Sequence, residues 1–204
     1  MNRDLHGYVP DTCPVVLLLV DVINDLEFPG GELLAPHALR MATRLRALKR
    51  RCRAAGIPAV YVNDNFGRWR SDFSVLVRHC LEDGVRGEAL VRRLKPGARD
   101  YFVLKPKHSG FFSTTLATLI EYLGAHTVIV TGVAGDICVL FTANDAYMRD
   151  LHVVVPADCV ASNFAEDNRR AVELMARVLK ADVTPSTELD LDRLRRRHRV
   201  KPAR

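Results

Sequence analysis

The chain has little of what would tie it to a metal, a disulfide framework or a membrane. Its five cysteines, at positions 13, 52, 80, 138 and 159, are odd in number and scattered, with no C-x-x-C pair. That pattern argues against a disulfide-stapled secreted domain or a zinc knuckle and for a reducing compartment. The seven histidines (6, 37, 79, 108, 126, 152 and 198) show no metal-ligand spacing. No stretch approaches the ~20 apolar residues of a membrane span. The apolar run Val15 to Val20 is too short for a signal peptide and ends in Asp21. No glycine-rich phosphate loop of the P-loop or dinucleotide type is present. These absences predict a cytoplasmic protein without metal or cofactor.

The charge is also less telling than its total suggests. The net charge is +6, but Arg193 to Arg204 holds seven Lys or Arg residues and no acid. Without that tail the chain stands at +6 − 7 = −1. The basicity therefore belongs to a tail that reads as a solvated helix end, and aromatics do not interleave it. Neither a nucleic-acid partner nor a membrane partner is expected.

What is present is a regular alternation. Apolar runs at Val15 to Val20, Ile57 to Val62, Tyr101 to Leu104, Thr127 to Val130, His152 to Val155 and Asp182 to Thr184 read as six strands. Amphipathic stretches read as helices at His37 to Ala55, Glu88 to Leu94, Thr114 to Leu123, Ile137 to Arg149, Glu166 to Leu179 and Leu189 to Arg197. Residues 66 to 83 read as a mixed loop with a short helix. Strands that are apolar throughout, rather than alternating, are buried on both faces, as in a parallel sheet covered by helices. The expectation is an α/β fold: one doubly wound domain over 1–204 with a six-stranded, mainly parallel sheet.

Three chemically capable side chains fall at carboxyl ends of these strands. Asp21 follows the first strand directly, Lys105 follows the third, and Cys138 lies just past the fourth, where a helix begins after Gly132 and Gly135. In open α/β sheets the ligand crevice lies outside the strands' carboxyl ends, so all three face one rim. A thiol near a helix N-terminus is favoured as thiolate, which predicts a partly ionised, reactive Cys138. A carboxylate can take its proton, an ammonium can hold the charges, and backbone N–H groups can receive an oxyanion. Taken singly, each residue also reads as structural: a buried cysteine, a turn-capping Asp21, an exposed strand-end Lys105.

These residues lie in motifs that resemble the isochorismatase-like cysteine hydrolases, a family that includes nicotinamidases and N-carbamoylsarcosine amidohydrolases. Asp21-Val22-Ile23-Asn24-Asp25-Leu26 is similar to the family's D-x-Q-N-D-F. The stretch from Lys105 to Leu116 is similar to K-x-x-x-S-A-F-x-x-T-x-L, and Thr131 to Val139 to T-G-V-A-T-N-V-C-V. Thr142-Ala143-Asn144-Asp145-Ala146 is similar to T-A-x-D-A. The resemblance implies the Rossmann-type three-layer fold of that family and an Asp21, Lys105, Cys138 triad. It also implies a cis peptide at Val133-Ala134 that aims the Ala134 amide, beside that of Cys138, at the oxyanion. A small-molecule substrate and a homo-oligomer, dimer or tetramer, are implied as well.

The departures from the family pattern bear on substrate. Nicotinamidases of the family carry a metal on an Asp-x-His after the second strand, whereas here Asp64 is followed two residues on by Phe66. Ile23 stands where the family commonly has Gln, and Asp136 where it has Asn or similar. Ile23, Phe28, Trp69, Phe111 and Phe141 are candidates for an apolar substrate wall, and Asn65, Arg68 and Arg70 for meeting a substrate carboxylate. The resemblance implies hydrolysis of a small amide or carbamoyl C–N bond through a thioester. The alternatives are a vinyl-ether hydrolase of the isochorismate type, for which the family does not use a cysteine nucleophile, and a non-catalytic interaction module.

Overall fold

The computed structural model describes residues 12–65 and 72–197. A strand of six apolar residues, β1 (Val15–Val20), is fully buried along its whole length. It lies between β2 (Ala59–Asp64) and β4 (Thr127–Val133), parallel to both. The sheet runs in the order β3-β2-β1-β4-β5, with β3 at Tyr101–Lys105 and β5 at His152–Val154. All its pairings are parallel. The chain thus winds outward from β1 in both directions, and the switch point falls between β1 and β4.

Period-two alternation along β1 builds two cores at once. Val15, Leu17 and Leu19 join an apolar cluster with Leu34, Leu45 and Leu48 of α1 (Gly31–Ala54), Leu90 of α3 (Glu88–Leu94) and Leu194 of α7 (Leu191–Arg196). Val16, Leu18 and Val20 join the other cluster, with Leu116 and Ile120 of α4 (Leu116–Tyr122), Ala143 of α5 (Leu140–Tyr147) and Met175 of α6 (Ala165–Val178). Each buried Leu or Val contributes roughly 1.5–3 kcal/mol over its exposed state, so β1 alone anchors both faces. Helix α2 (Phe73–Glu82) follows the undescribed segment, with the Asp72 side chain capping its first turn through the Ser74 amide at 2.7 Å.

Several element boundaries shift from the sequence reading, and those with an identifiable reason are these. Helix α1 begins at Gly31 and passes through Pro36 instead of starting at His37. The proline removes one backbone hydrogen bond, while buried Leu34 ahead of it packs that first stretch into the core. The stretch 182–184 is not a strand: Asp182 makes an isolated bridge to Val154. The sixth strand is instead β6 (Val160–Ala161), which pairs Gly132 and Val133 of β4. Strand β5 has only three residues, so it leaves the far half of β4 unpaired, and residues 160 and 161 fill that edge. Finally, the helix carrying Cys138 opens with one π-helical turn, Gly135–Val139, before α5.

Among the described residues, no helix is long and apolar enough to cross a membrane. Of the basic tail, Arg193, Arg195 and Arg196 lie on α7, and the portion from 198 onward is outside the described residues.

Candidate active site

The register of the sheet sets the site's spacing. Val20 lies opposite Val62 on one side and Gly132 on the other, and Asp64 lies opposite Lys105. Asp21, one residue beyond β1, therefore emerges between the ends of β2 and β4. Its backbone adopts φ 50°, a left-handed conformation that aspartate tolerates better than most residues, while its N–H donates to Val62 O at 3.0 Å. Gly132 has φ 113°, and a side chain there would come within 2.0 Å of Val20 O, so only glycine lets β4 run this close to β1. A Cβ on Gly135 would meet the Asn168 side chain at 2.2 Å, which closes the π turn against α6. The Val133–Ala134 peptide bond is cis.

Lys105 joins the three expected residues. Its side chain is fully buried and reaches across β2, with Nζ 2.8 Å from Asp21 Oδ2, 3.5 Å from Asp64 Oδ2 and 3.5 Å from Cys138 Sγ. Those contacts account for all three ammonium protons. Asp21 Oδ1 accepts the Asp64 backbone N–H at 2.7 Å. The loop after Asp21 is held by Asn63, whose amide donates to Ile23 O at 2.6 Å.

A second set of bonds fixes the distance between Lys105 and Cys138. Ser109 donates to the Asp145 carboxylate, and Gly110 N–H donates to Thr142 Oγ1 at 3.0 Å. Thr142 Oγ1 donates in turn to the Cys138 carbonyl at 2.7 Å. The loop after β3 is thereby locked to the helix that carries the thiol. This gives a physical role to the serine and threonine–aspartate positions of the motifs.

Burial dominates the electrostatics. It pushes the Asp21 carboxyl above the usual carboxylate range, opposed by the charge and hydrogen bond of Lys105. Lys105 is raised in spite of its burial, because Asp21, Cys138 and Asp64 all favour its charged form. The Cys138 thiol is pushed up to about 12, first by burial and then by the Asp21 charge, with Lys105 only partly opposing. The expectation of a partly ionised thiol at neutral pH is corrected accordingly. A helix N-terminus favours thiolate, but here desolvation and a neighbouring carboxylate outweigh it.

The isochorismatase domain model matches residues 15–188. The chain belongs to the isochorismatase family. It is 42% identical over 173 residues to the uncharacterized isochorismatase family protein YaaI of Bacillus subtilis (strain 168), covering 85% of this chain and 94% of that one. It is 27% identical over 190 residues to the ureidoacrylate amidohydrolase RutB of Methylobacterium radiotolerans, covering 79% of this chain and 72% of that one. Among solved structures it is similar to the N-carbamoylsarcosine amidase of Thermoplasma acidophilum, with TM-score 0.68 and 31% identity. That match covers 86% of this chain and 98% of the amidase. The six-stranded parallel sheet with helices on both faces is the fold of this isochorismatase family.

The remaining candidates scatter. Ile23 is fully buried and Phe111 is 4% exposed, and both side chains belong to the apolar cores, with the Arg149 guanidinium over the Phe111 ring. Neither therefore lines an open wall. Asn65 is buried, and its N–H donates to Lys105 O at 3.0 Å. Phe28 and Phe141 are exposed, and the Phe141 ring packs on His108 with centroids 5.7 Å apart. Trp69, Arg68 and Arg70 lie outside the described residues.

Two residues near Asp21, Lys105 and Cys138 were not singled out for the site from the sequence. Asp64 was noted only as half of an incomplete metal motif, yet its carboxylate faces Lys105. Its place opposite Lys105 is set by strand register, which the sequence reading did not reach. His108 Nδ1 lies 3.8 Å from Cys138 Sγ, a proximity that nothing in the residue spacing indicates. Among the described residues no three His, Cys, Asp or Glu side chains converge as a metal site would require.

Proposed function

We propose that this protein is a cysteine-dependent amidohydrolase that cleaves a small amide or carbamoyl C–N bond through a thioester. The observation that carries the proposal is the position of Lys105 Nζ, in contact with both the Asp21 carboxylate and the Cys138 sulfur at one buried rim. A relative named as an amidohydrolase and a structural neighbour named as an amidase support the same bond class.

Burial and the Asp21 charge push the thiol up, so its proton leaves as the sulfur attacks. Asp21 takes that proton, and its raised pKa makes it a better acceptor than an ordinary carboxylate. Lys105 keeps Asp21 ionised before attack and steadies the sulfur as charge develops on it. The backbone N–H groups of Ala134 and Cys138 are the proposed oxyanion donors. Asp21 then passes its proton to the departing nitrogen, ammonia or an amine leaves, and water resolves the acyl–Cys138 thioester.

Ammonia release from a panel of small amides and carbamoyl compounds tests the reading. Turnover of at least one member that is abolished in Cys138→Ala is the expected result. Turnover that survives in Cys138→Ala would refute the nucleophile.

A further inference from the structure

The sulfur of Cys138 has three side-chain neighbours of different character. Asp21 and Lys105 approach it from the buried side, with relative exposures of 5% and 0%. His108 approaches at 3.8 Å through Nδ1 and is itself exposed, with its ring backed by Phe141. His108 is therefore the one of the three that faces solvent.

The two halves of a thioester mechanism place different demands on these groups. During acylation the proton to be moved starts on sulfur, next to Asp21. During deacylation it starts on a water that arrives from solvent, and it must end on the sulfur as the C–S bond breaks. An expelled thiolate is disfavoured here, since burial and the Asp21 charge push the thiol up to about 12. A proton donor that faces the sulfur from the solvent side, as His108 Nδ1 does at 3.8 Å, would ease departure of the acyl group.

We propose that His108 is the acid–base residue of the deacylation half, a role that rests on the reading of Cys138 as nucleophile. Nδ1 takes a proton from the attacking water as its oxygen bonds to the thioester carbon. The same nitrogen, facing Sγ, returns that proton to sulfur as the C–S bond breaks, leaving a carboxylic acid product, a free thiol and a neutral imidazole. An imidazole nitrogen can accept a proton and give it back, which suits a group that must do both. The loop that carries His108 is held for this by Ser109 to Asp145 and Gly110 to Thr142. The Phe141 ring packs on the His108 ring, tilted, with centroids 5.7 Å apart.

The test uses the full chain acetylated with p-nitrophenyl acetate, followed by mass spectrometry of acetyl-Cys138 over time. This bypasses the unidentified natural substrate. Acetyl-Cys138 should decay at least ~10-fold more slowly in His108→Ala than in the native protein. Added imidazole should restore the rate, and His108→Gln, which keeps a hydrogen-bonding side chain but cannot titrate, should remain slow. Because His108 is exposed, both variants should fold, which circular dichroism checks. Native decay in His108→Ala, native decay in His108→Gln, or no rescue by imidazole would each overturn the role of His108 alone. Failure of the native protein to take up acetyl at Cys138 would overturn the nucleophile as well.

Discussion

Among the described residues, two lysine–aspartate pairs stand at opposite ends of the same sheet, one half-buried and one buried. At the amino ends of the strands, Lys49 meets Asp100 at 2.6 Å, with side chains 17% and 15% exposed. At the carboxyl ends, Lys105 meets Asp21 at 2.8 Å, with 0% and 7%. The first pair is closed by neutral groups: Lys49 also donates to Tyr61 Oη at 2.7 Å, and Asp100 Oδ2 also accepts the Gly97 N–H at 2.6 Å. It staples α1, β2 and the turn before β3 together. The second pair is left with a second carboxylate, Asp64, and a thiol as neighbours. An ion pair finished with backbone and phenol groups is a fastener, whereas one finished with groups that can exchange protons is a reagent.

Substitutions should separate the two. Cys138→Ala should remove all detectable turnover while leaving the thermal midpoint nearly unchanged, since the side chain is small and only partly buried. A midpoint lowered by more than about 5 °C, measured by calorimetry, would make the thiol a packing element instead. Asp21→Asn should follow, with acylation slowed roughly 10²–10⁴-fold by loss of the proton acceptor. Single-turnover kinetics on a substrate from the amide panel would measure it.

Lys105 should behave as both reagent and fastener. Lys105→Ala leaves Asp21 and Asp64 facing each other without their cation, and unpairing buried charges costs roughly 3–5 kcal/mol. Lys105→Met keeps the apolar stem and should lose less stability, yet turnover should fall in both. Lys49→Ala should do the reverse, costing about 2 kcal/mol in denaturant titrations with turnover kept where the protein is folded. If Lys49→Ala lost as much activity as Lys105→Met, the distinction between the two ends would collapse.

The smallest effects concern pH. Asp21 works as a base only when ionised, and its pKa is raised. The rate should therefore fall as pH drops through a point above the ordinary carboxylate range. Lys105→Met, which removes the charge that lowers it, should move that limb further up in pH. Alkylation of Cys138 by iodoacetamide should keep rising from neutral pH toward about 12, without levelling near 7. Cys138 should still be modified first, because the other four cysteines are all buried.

Much of the fold was determined by local sequence. Six consecutive apolar residues ending in Asp21 specify a strand buried on both faces with a polar group at its tip, because the side-chain period of a strand is two and both faces need cover. Glu88–Leu94 was legible to the residue, and the motifs placed Asp21, Lys105 and Cys138 at one rim. Tertiary structure alone decided the rest. Strand β6 forms because β5 is too short to cover β4, a fact about neighbours that no pattern within 160–161 carries. Aromatic and branched side chains look alike in sequence whether they line a pocket or fill a core, and only packing put Ile23 and Phe111 inside. The state of the thiol was decided the same way. Its place at the start of a helix is local, but the burial and the carboxylate that push the thiol up come from four strands brought side by side. His108 meets Cys138 for the same reason: thirty residues separate them along the chain, and only the locked loop after β3 brings ring to sulfur.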